Sequence, residues 1–241
     1  MKVVKFLGIP FLYIDQAEFI NLMAQRIEDK DKTFVVTVNP ESAMIGQRDQ
    51  HFMNVLHRAT HVTADGIGIV KGVRLVGDYL PERVTGYDSM IGLLERGNEH
   101  GYRVFLLGGR EDVVQEAAGR VSSRYPGLDA VDYHHGYFDF NDESVIDAIK
   151  AFQPNLVLVG LGVPRQEQWI DAHFDKFDQG VFIGVGGSID VLGGYVKRAP
   201  ETWRRLNLEW LYRFLHQPSR WRRAFVLPQF IGTVLKKRFK S

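Results

Sequence analysis

With 241 residues, 45% of them hydrophobic, and no cysteine, the chain can bury a core; disulfides, thiolate zinc sites and cysteine nucleophiles are excluded. Its net charge of +1 hides a split: residues 196–241 carry twelve Lys and Arg against Glu201 and Glu209, a net of +10, while residues 1–195 are net −9. The expected organisation is therefore an α/β body over 1–195 and a basic, aromatic-rich appendage over 196–241.

Residues 1–15 lack the basic segment, apolar run and small-residue cleavage site of a signal peptide. Met1–Ile14, with Gly8-Ile9-Pro10 at its middle, reads as a small edge hairpin. Asp15, with Glu18 three residues on, N-caps a helix over Asp15–Glu28. Thr33–Val38, Arg103–Leu107, Asn155–Val159 and Val181–Val185 are short apolar runs bounded by turn residues, which predicts buried strands. His61–Ala64 and Ala130–Tyr133 are weaker strand candidates. Helical spacing marks Glu41–Gln47, Tyr87–Glu99, Glu111–Tyr125, Asp142–Phe152 and Arg165–Phe174. This alternation predicts a Rossmann-like, mostly parallel sheet with helices on both faces. In the tail, Pro200–Leu215 reads as one helix, with Trp203, Leu206, Trp210 and Phe214 on one stripe and Arg205, Glu209 and Arg213 on another. No run approaches the roughly 18–20 apolar residues of a membrane span; Phe225–Leu235 is the nearest and contains Pro228.

Ligands of open parallel sheets bind beyond the carboxyl ends of the strands. The exits here are Asn39-Pro40-Glu41, Asp65-Gly66, Gly108-Gly109-Arg110, the run Gly160–Glu167, and Gly186-Gly187-Ser188-Ile189-Asp190. Three are glycine-rich and lead into helix starts, an arrangement suited to phosphate and equally ordinary in such folds. Asp65 closes a strand with no basic sequence neighbour; it is either a general base or the N-cap of a helix from Gly66. Arg83 would clamp a phosphate, or pair with Glu82 or Asp88. Gln166 and Glu167 open a helix, where Glu167 would also complement the dipole.

Two common cofactor patterns fail. Gly160-x-Gly162 has Arg165 where a dinucleotide fold wants glycine or alanine, and no P-loop is present. His134-His135 point to opposite faces of a strand, and Asp29-Lys30-Asp31 precedes a strand rather than following one, so no metal is expected.

TVNPE (37–41), ADGIGIV (64–70), PERVTGYD (81–88), LLGG (106–109), GLGVPRQEQW (160–169), GVGGSID (184–190) and the 198–223 segment beginning RAPETW together resemble the WecG/TagA/CpsF glycosyltransferases. The resemblance spans nearly the whole chain, most strongly from Thr33 to Arg223. It implies a bacterial, inverting enzyme that transfers N-acetylmannosamine or a related sugar from a UDP-sugar to N-acetylglucosamine on undecaprenyl diphosphate. It also implies a metal-free mechanism with no cofactor, and a cytoplasmic protein held on the inner membrane face by its tail, serving wall teichoic acid, common antigen or capsule synthesis. Residue by residue, it makes Asp65 the base, with Gln166 and Arg83 beside it. Thr37, Asn39, Gly108, Gly109, Glu167 and Asp190 fall in substrate-binding segments, and Arg213, Arg220 and Arg223 match arginines that meet diphosphates.

From Ser219 onward the acids stop, and basic residues alternate with aromatics. Near an anionic leaflet each such base contributes on the order of 1 kcal/mol. The rival reading, a nucleic-acid binder with a basic arm, has to overcome a body of net −9, so no nucleic-acid partner is expected. Within the enzyme class, UDP-glucose or a UDP-uronic acid is the alternative donor.

Overall fold

The computed structural model describes residues 1–206, 208–216 and 226–239, except the side chains of Arg213, Phe214 and His216. Six parallel strands form the central sheet: β3 (Thr33–Val38), β4 (His61–Ala64), β5 (Arg103–Gly108), β6 (Ala130–His134), β7 (Leu156–Gly160) and β8 (Val181–Gly184), in the order β4-β3-β8-β7-β5-β6. β1 (Val3–Phe6) and β2 (Ile9–Leu12) make an antiparallel hairpin that packs beside the edge strand β4 without extending its ladder.

Strand residues alternate between two cores, as a pleated strand covered on both faces requires. Phe34, Val36 and Val38 of β3 enter one cluster with Phe52, Ile146 and Trp169, while Val35 enters the other with Phe19, Leu93 and Val114. The first face is covered by the hairpin, α2 (Pro40–Arg48), α3 (Gln50–Arg58), α4 (Ile67–Leu75), α7 (Glu143–Phe152) and α8 (Arg165–His173). The second is covered by α1 (Gln16–Glu28), α5 (Gly86–His100), α6 (Glu111–Arg124) and the short α9 (Ser188–Leu192).

Local capping fixes these helices in register. Asp15 and Glu18 form a reciprocal capping box on α1, Asn39 caps α2 through Ser42 N, Thr85 caps α5 through Asp88 N, and Asp142 caps α7 through Ser144 N. Asp49 ends α2 and begins α3, accepting from His51 N and Phe52 N, so two helices meet with a single residue between them.

The tail departs from the expected single helix over Pro200–Leu215. It forms α10 (Glu201–Arg205) and α11 (Glu209–His216), with the intervening turn closed by Leu208 N–H donating to Trp203 O. Trp203 meets Tyr212 edge-on at 5.7 Å, so the expected aromatic stripe is not one continuous helix face. Arg205 pairs with Glu201 at 2.8 Å. α12 (Val226–Arg238) has Pro228 in its first turn, where a missing N–H costs little, and returns to the body to pack against α2 and α4.

A glycine groove seats α12. A Cβ at Gly72 would lie 2.8 Å from Phe6 Cζ and 3.3 Å from Phe230 Cζ, so only glycine lets these two rings meet over α4. Phe230 and Phe6 are in edge contact at 6.2 Å, and Phe230 is 2% exposed. Upstream, the Arg198 guanidinium bonds Asp88 and stacks on Tyr87 at 4.0 Å, which fastens the start of the appendage to the first turn of α5.

Candidate active site

All six central strands point their carboxyl ends the same way, and the exits build a two-chambered crevice there. The first chamber, about 570 Å³, is polar. Its walls come from Thr37 near the end of β3 and Asn39 just after it, Gly109 after β5, Gly160 at the end of β7 with Leu161–Val163 beyond it, Gly186 and Gly187 after β8, and Asp190. Tyr137 and Tyr195 stand exposed at its rim, the latter under Arg110 at 5.0 Å. The second chamber, about 510 Å³, lies between α4 and α12 and is walled mainly by aliphatic and aromatic side chains. Asn39, Glu41, Asp65 and Val185 line both, so they form the shared wall.

Asp65 sits at that wall for a backbone reason. Its N–H continues the sheet pairing by donating to Val38 O at 2.8 Å, and Gly66 then turns sharply at φ 100° into α4. Gly66, not Asp65, holds the N-cap position of α4, which begins at Ile67. Thr37 is 5% exposed and donates to Gly184 O at 3.0 Å, tying β3 to β8 beneath the polar chamber. The Asn39 side-chain oxygen caps α2, which leaves its two amide N–H donors to offer a ligand.

Arg83 lines the apolar chamber beside Asp65. Both carboxylates that could have held it are engaged elsewhere: Glu82 accepts from Gln16 N at 2.6 Å, and Asp88 accepts from Arg198 and Thr85. Burial pushes the Asp88 carboxyl up. The Arg198 and Thr85 hydrogen bonds and the nearby charges of Arg198 and Arg83 outweigh that and hold it below the ordinary carboxylate range.

Gln166 and Glu167 divide the work at the start of α8. Gln166 is 2% exposed; its Oε1 accepts the Gly186 N–H at 3.0 Å, and its Nε2 donates to Glu167 Oε1 at 2.7 Å. Glu167 is fully buried and lines neither chamber; it lies beneath Gln166, with Oε2 lacking a hydrogen-bond partner. Burial raises the Glu167 carboxyl to about 7, opposed by the Gln166 hydrogen bond and reinforced by the charge of Glu41.

Of the other expected residues, Gly109 and Asp190 line the polar chamber, while Gly108 ends β5 just below it. Arg213 lies on α11 with its side chain outside the described residues, and Arg220 and Arg223 lie outside them altogether. Sequence reasoning assigned no role to Glu41, Lys71 or Arg165. Glu41 lies in the exit of β3 and lines both chambers, while Lys71 reaches the crevice through the way α4 packs, which no spacing rule announces. Arg165 was visible in the motif but judged only as a failed glycine position; its guanidinium donates to Gly136 O and Phe138 O and shapes the polar rim. Among the described residues, no three His, Cys, Asp or Glu side chains gather as a metal site, and no helix is long and apolar enough to cross a membrane.

Residues 4–241 match the model of the glycosyl transferase WecG/TagA/CpsF family. An N-acetylglucosaminyldiphosphoundecaprenol N-acetyl-beta-D-mannosaminyltransferase of Staphylococcus aureus strain MW2 is 37% identical over 213 residues, 88% of this chain and 84% of the relative. A protein of the same name from Bacillus spizizenii is 37% identical over 227 residues, 94% of this chain and 88% of its own. A strand-end crevice with a carboxylate on its dividing wall, carried by a chain that matches along almost its whole length, places the protein in the WecG/TagA/CpsF family of glycosyltransferases.

Proposed function

We propose that the chain transfers N-acetylmannosamine from its UDP derivative to a hydroxyl of N-acetylglucosamine carried on undecaprenyl diphosphate, with inversion and without a metal. One observation carries this reading: Asp65 stands in the wall shared by a polar chamber, suited to a nucleotide sugar, and an apolar one, suited to a lipid-linked acceptor. Asp65 takes the proton of the acceptor hydroxyl as its oxygen attacks the anomeric carbon. The bond from that carbon to the UDP oxygen breaks on the opposite face, and UDP leaves with the electron pair. Helices α6 and α8 start at the polar chamber with no side-chain cap, so backbone N–H groups and helix dipoles can face the departing diphosphate. Gln166 meets the reacting sugars, and Glu167 acts through it. Arg83, with Arg213, Arg220 and Arg223 of the tail, supplies positive charge to the phosphates.

A uronate donor would need a cation for its C6 carboxylate. Arg110 and Arg165 line the polar chamber, but the first is paired with Asp112 and the second with backbone carbonyls, which favours the neutral hexosamine. The tail holds the enzyme on the cytoplasmic face of the membrane. The test is UDP release from a panel of UDP-sugars with a lipid-diphosphate N-acetylglucosamine acceptor. Release from UDP-N-acetylmannosamine, undiminished by EDTA and reduced about 10²–10⁴-fold in kcat by Asp65→Asn, supports the reading. No release from any donor, or an Asp65→Asn variant of full activity, refutes it.

A further inference from the structure

The apolar chamber has an internal order that the transfer reaction alone does not explain. Ile67, Gly68, Lys71, Gly72 and Leu75 line it from α4, and their i, i+1, i+4, i+5, i+8 spacing is a single helical stripe. Val226, Leu227, Phe230, Ile231 and Val234 line it from α12 with the same spacing. Two facing stripes therefore make a channel whose walls are mainly hydrocarbon. Its charged groups are Glu41 and Asp65 at strand exits, Lys71 on the second turn of α4, Arg83 in the segment before α5 and Glu209 on α11.

We propose that this channel binds the first isoprene units of a polyprenyl diphosphate and that Lys71 holds its phosphates. The inference rests on the reading of the acceptor as a lipid diphosphate. Asp65 before α4, Lys71 on its second turn and Leu75 at its end follow one another in the order in which such an acceptor presents sugar hydroxyl, diphosphate and chain. The volume of about 510 Å³ is that of an ordinary small-molecule cleft, roughly 300–1,000 Å³, and is too small for a whole long-chain lipid. The head and the start of the chain lie in protein, and the remainder continues into the bilayer.

The experiment uses water-soluble acceptors that share one N-acetylglucosamine diphosphate head and carry chains from a single methyl group to three isoprene units. UDP release is followed with the full-length enzyme, without vesicles or detergent. Each methylene buried in the channel is worth roughly fourfold in affinity. The expected result is a KM that falls at least about tenfold along the series. Ile231→Ser, at a half-exposed position that the fold tolerates, should abolish most of that fall. Lys71→Ala should raise KM for every chain length by a similar factor, because it removes phosphate binding and leaves chain binding intact. Turnover with a KM that ignores chain length overturns the channel and spares the acceptor reading; absence of turnover with every acceptor overturns both. An Ile231→Ser enzyme that sediments less with anionic vesicles yet keeps the full chain-length dependence would make this face a membrane contact and overturn the channel.

Discussion

Glu167 is the residue whose environment is most at odds with its chemistry: a carboxylate with no exposed surface, one oxygen engaged by Gln166 and the other without a partner. Its folded pKa, about 7, lies above the ordinary value of 4.5, so the unfolded chain gives up this proton first as pH rises. The stabilising contribution of the neutral acid is thus fully present below about pH 4.5 and is lost as pH rises to about 7. The shift corresponds to on the order of 3 kcal/mol. Glu167→Gln removes the titration while keeping an acceptor for Gln166. Thermal melts of the two proteins should therefore show the variant gaining on the wild type between pH 5 and pH 7.5; a pH-independent difference would mean that Glu167 titrates normally. Because Gln166 in turn holds the Gly186 N–H, Glu167→Ala is expected to lower kcat by releasing the Gln166 amide even where the fold survives. Activity at a pH where the variant is fully folded checks this.

Among the elements, α12 is held by specific contacts, among them Phe230 over the glycine of α4, Phe6 from the hairpin, the buried Val234 and an Arg48–Gln229 hydrogen bond. Phe230→Ala removes the anchor, and losses for buried phenylalanines run about 3–5 kcal/mol. Most of that should fall on the seating of α12, since nearly all of both cores belongs to residues 1–195. Limited proteolysis should then cut the tail many times faster while the body keeps its main melting transition. If the body unfolds instead, α12 is integral to the core.

The same helices mark what could be read in advance. The strands were legible because short apolar runs covered on both faces leave little choice, and Thr33–Val38 and His61–Ala64 were placed to the residue. α3 escaped because Asp49 serves two helices at once, leaving no stretch of turn residues between them. α4 was foreseen only as a helix from Gly66 that Asp65 would cap, without bounds, because Ile-Gly-Ile-Val-Lys-Gly-Val has the β-branched and glycine content of a strand; in the fold it is a helix packed against Phe6 and Phe230. The site was legible as strand exits, since sheet geometry dictates where they gather. The second chamber was not, because its far wall is a helix more than 150 residues away in sequence.

Over the whole molecule, the charge split places ten net positive charges on the segment that also supplies one wall of the crevice. Binding to anionic vesicles should weaken as salt rises from 0.05 to 0.5 M, roughly as the Debye length shortens. Removal of residues 196–241 should abolish co-sedimentation and also lower turnover on a water-soluble acceptor by at least about tenfold, because α12 leaves with the segment. Full activity of the truncated enzyme on that acceptor would limit the tail to anchorage.

The ring of Phe230 resting on Gly72 has one more consequence. α4 runs from the turn that presents Asp65 to the groove that receives this ring, so the seat of the last helix and the carboxylate on the dividing wall belong to one rigid rod. With α12 unseated, the apolar chamber loses a wall and the rod loses the contact at its far end. Phe230→Ala should therefore lower kcat on a water-soluble acceptor even at a temperature where the body is fully folded; an unchanged kcat would confine the ring to anchorage.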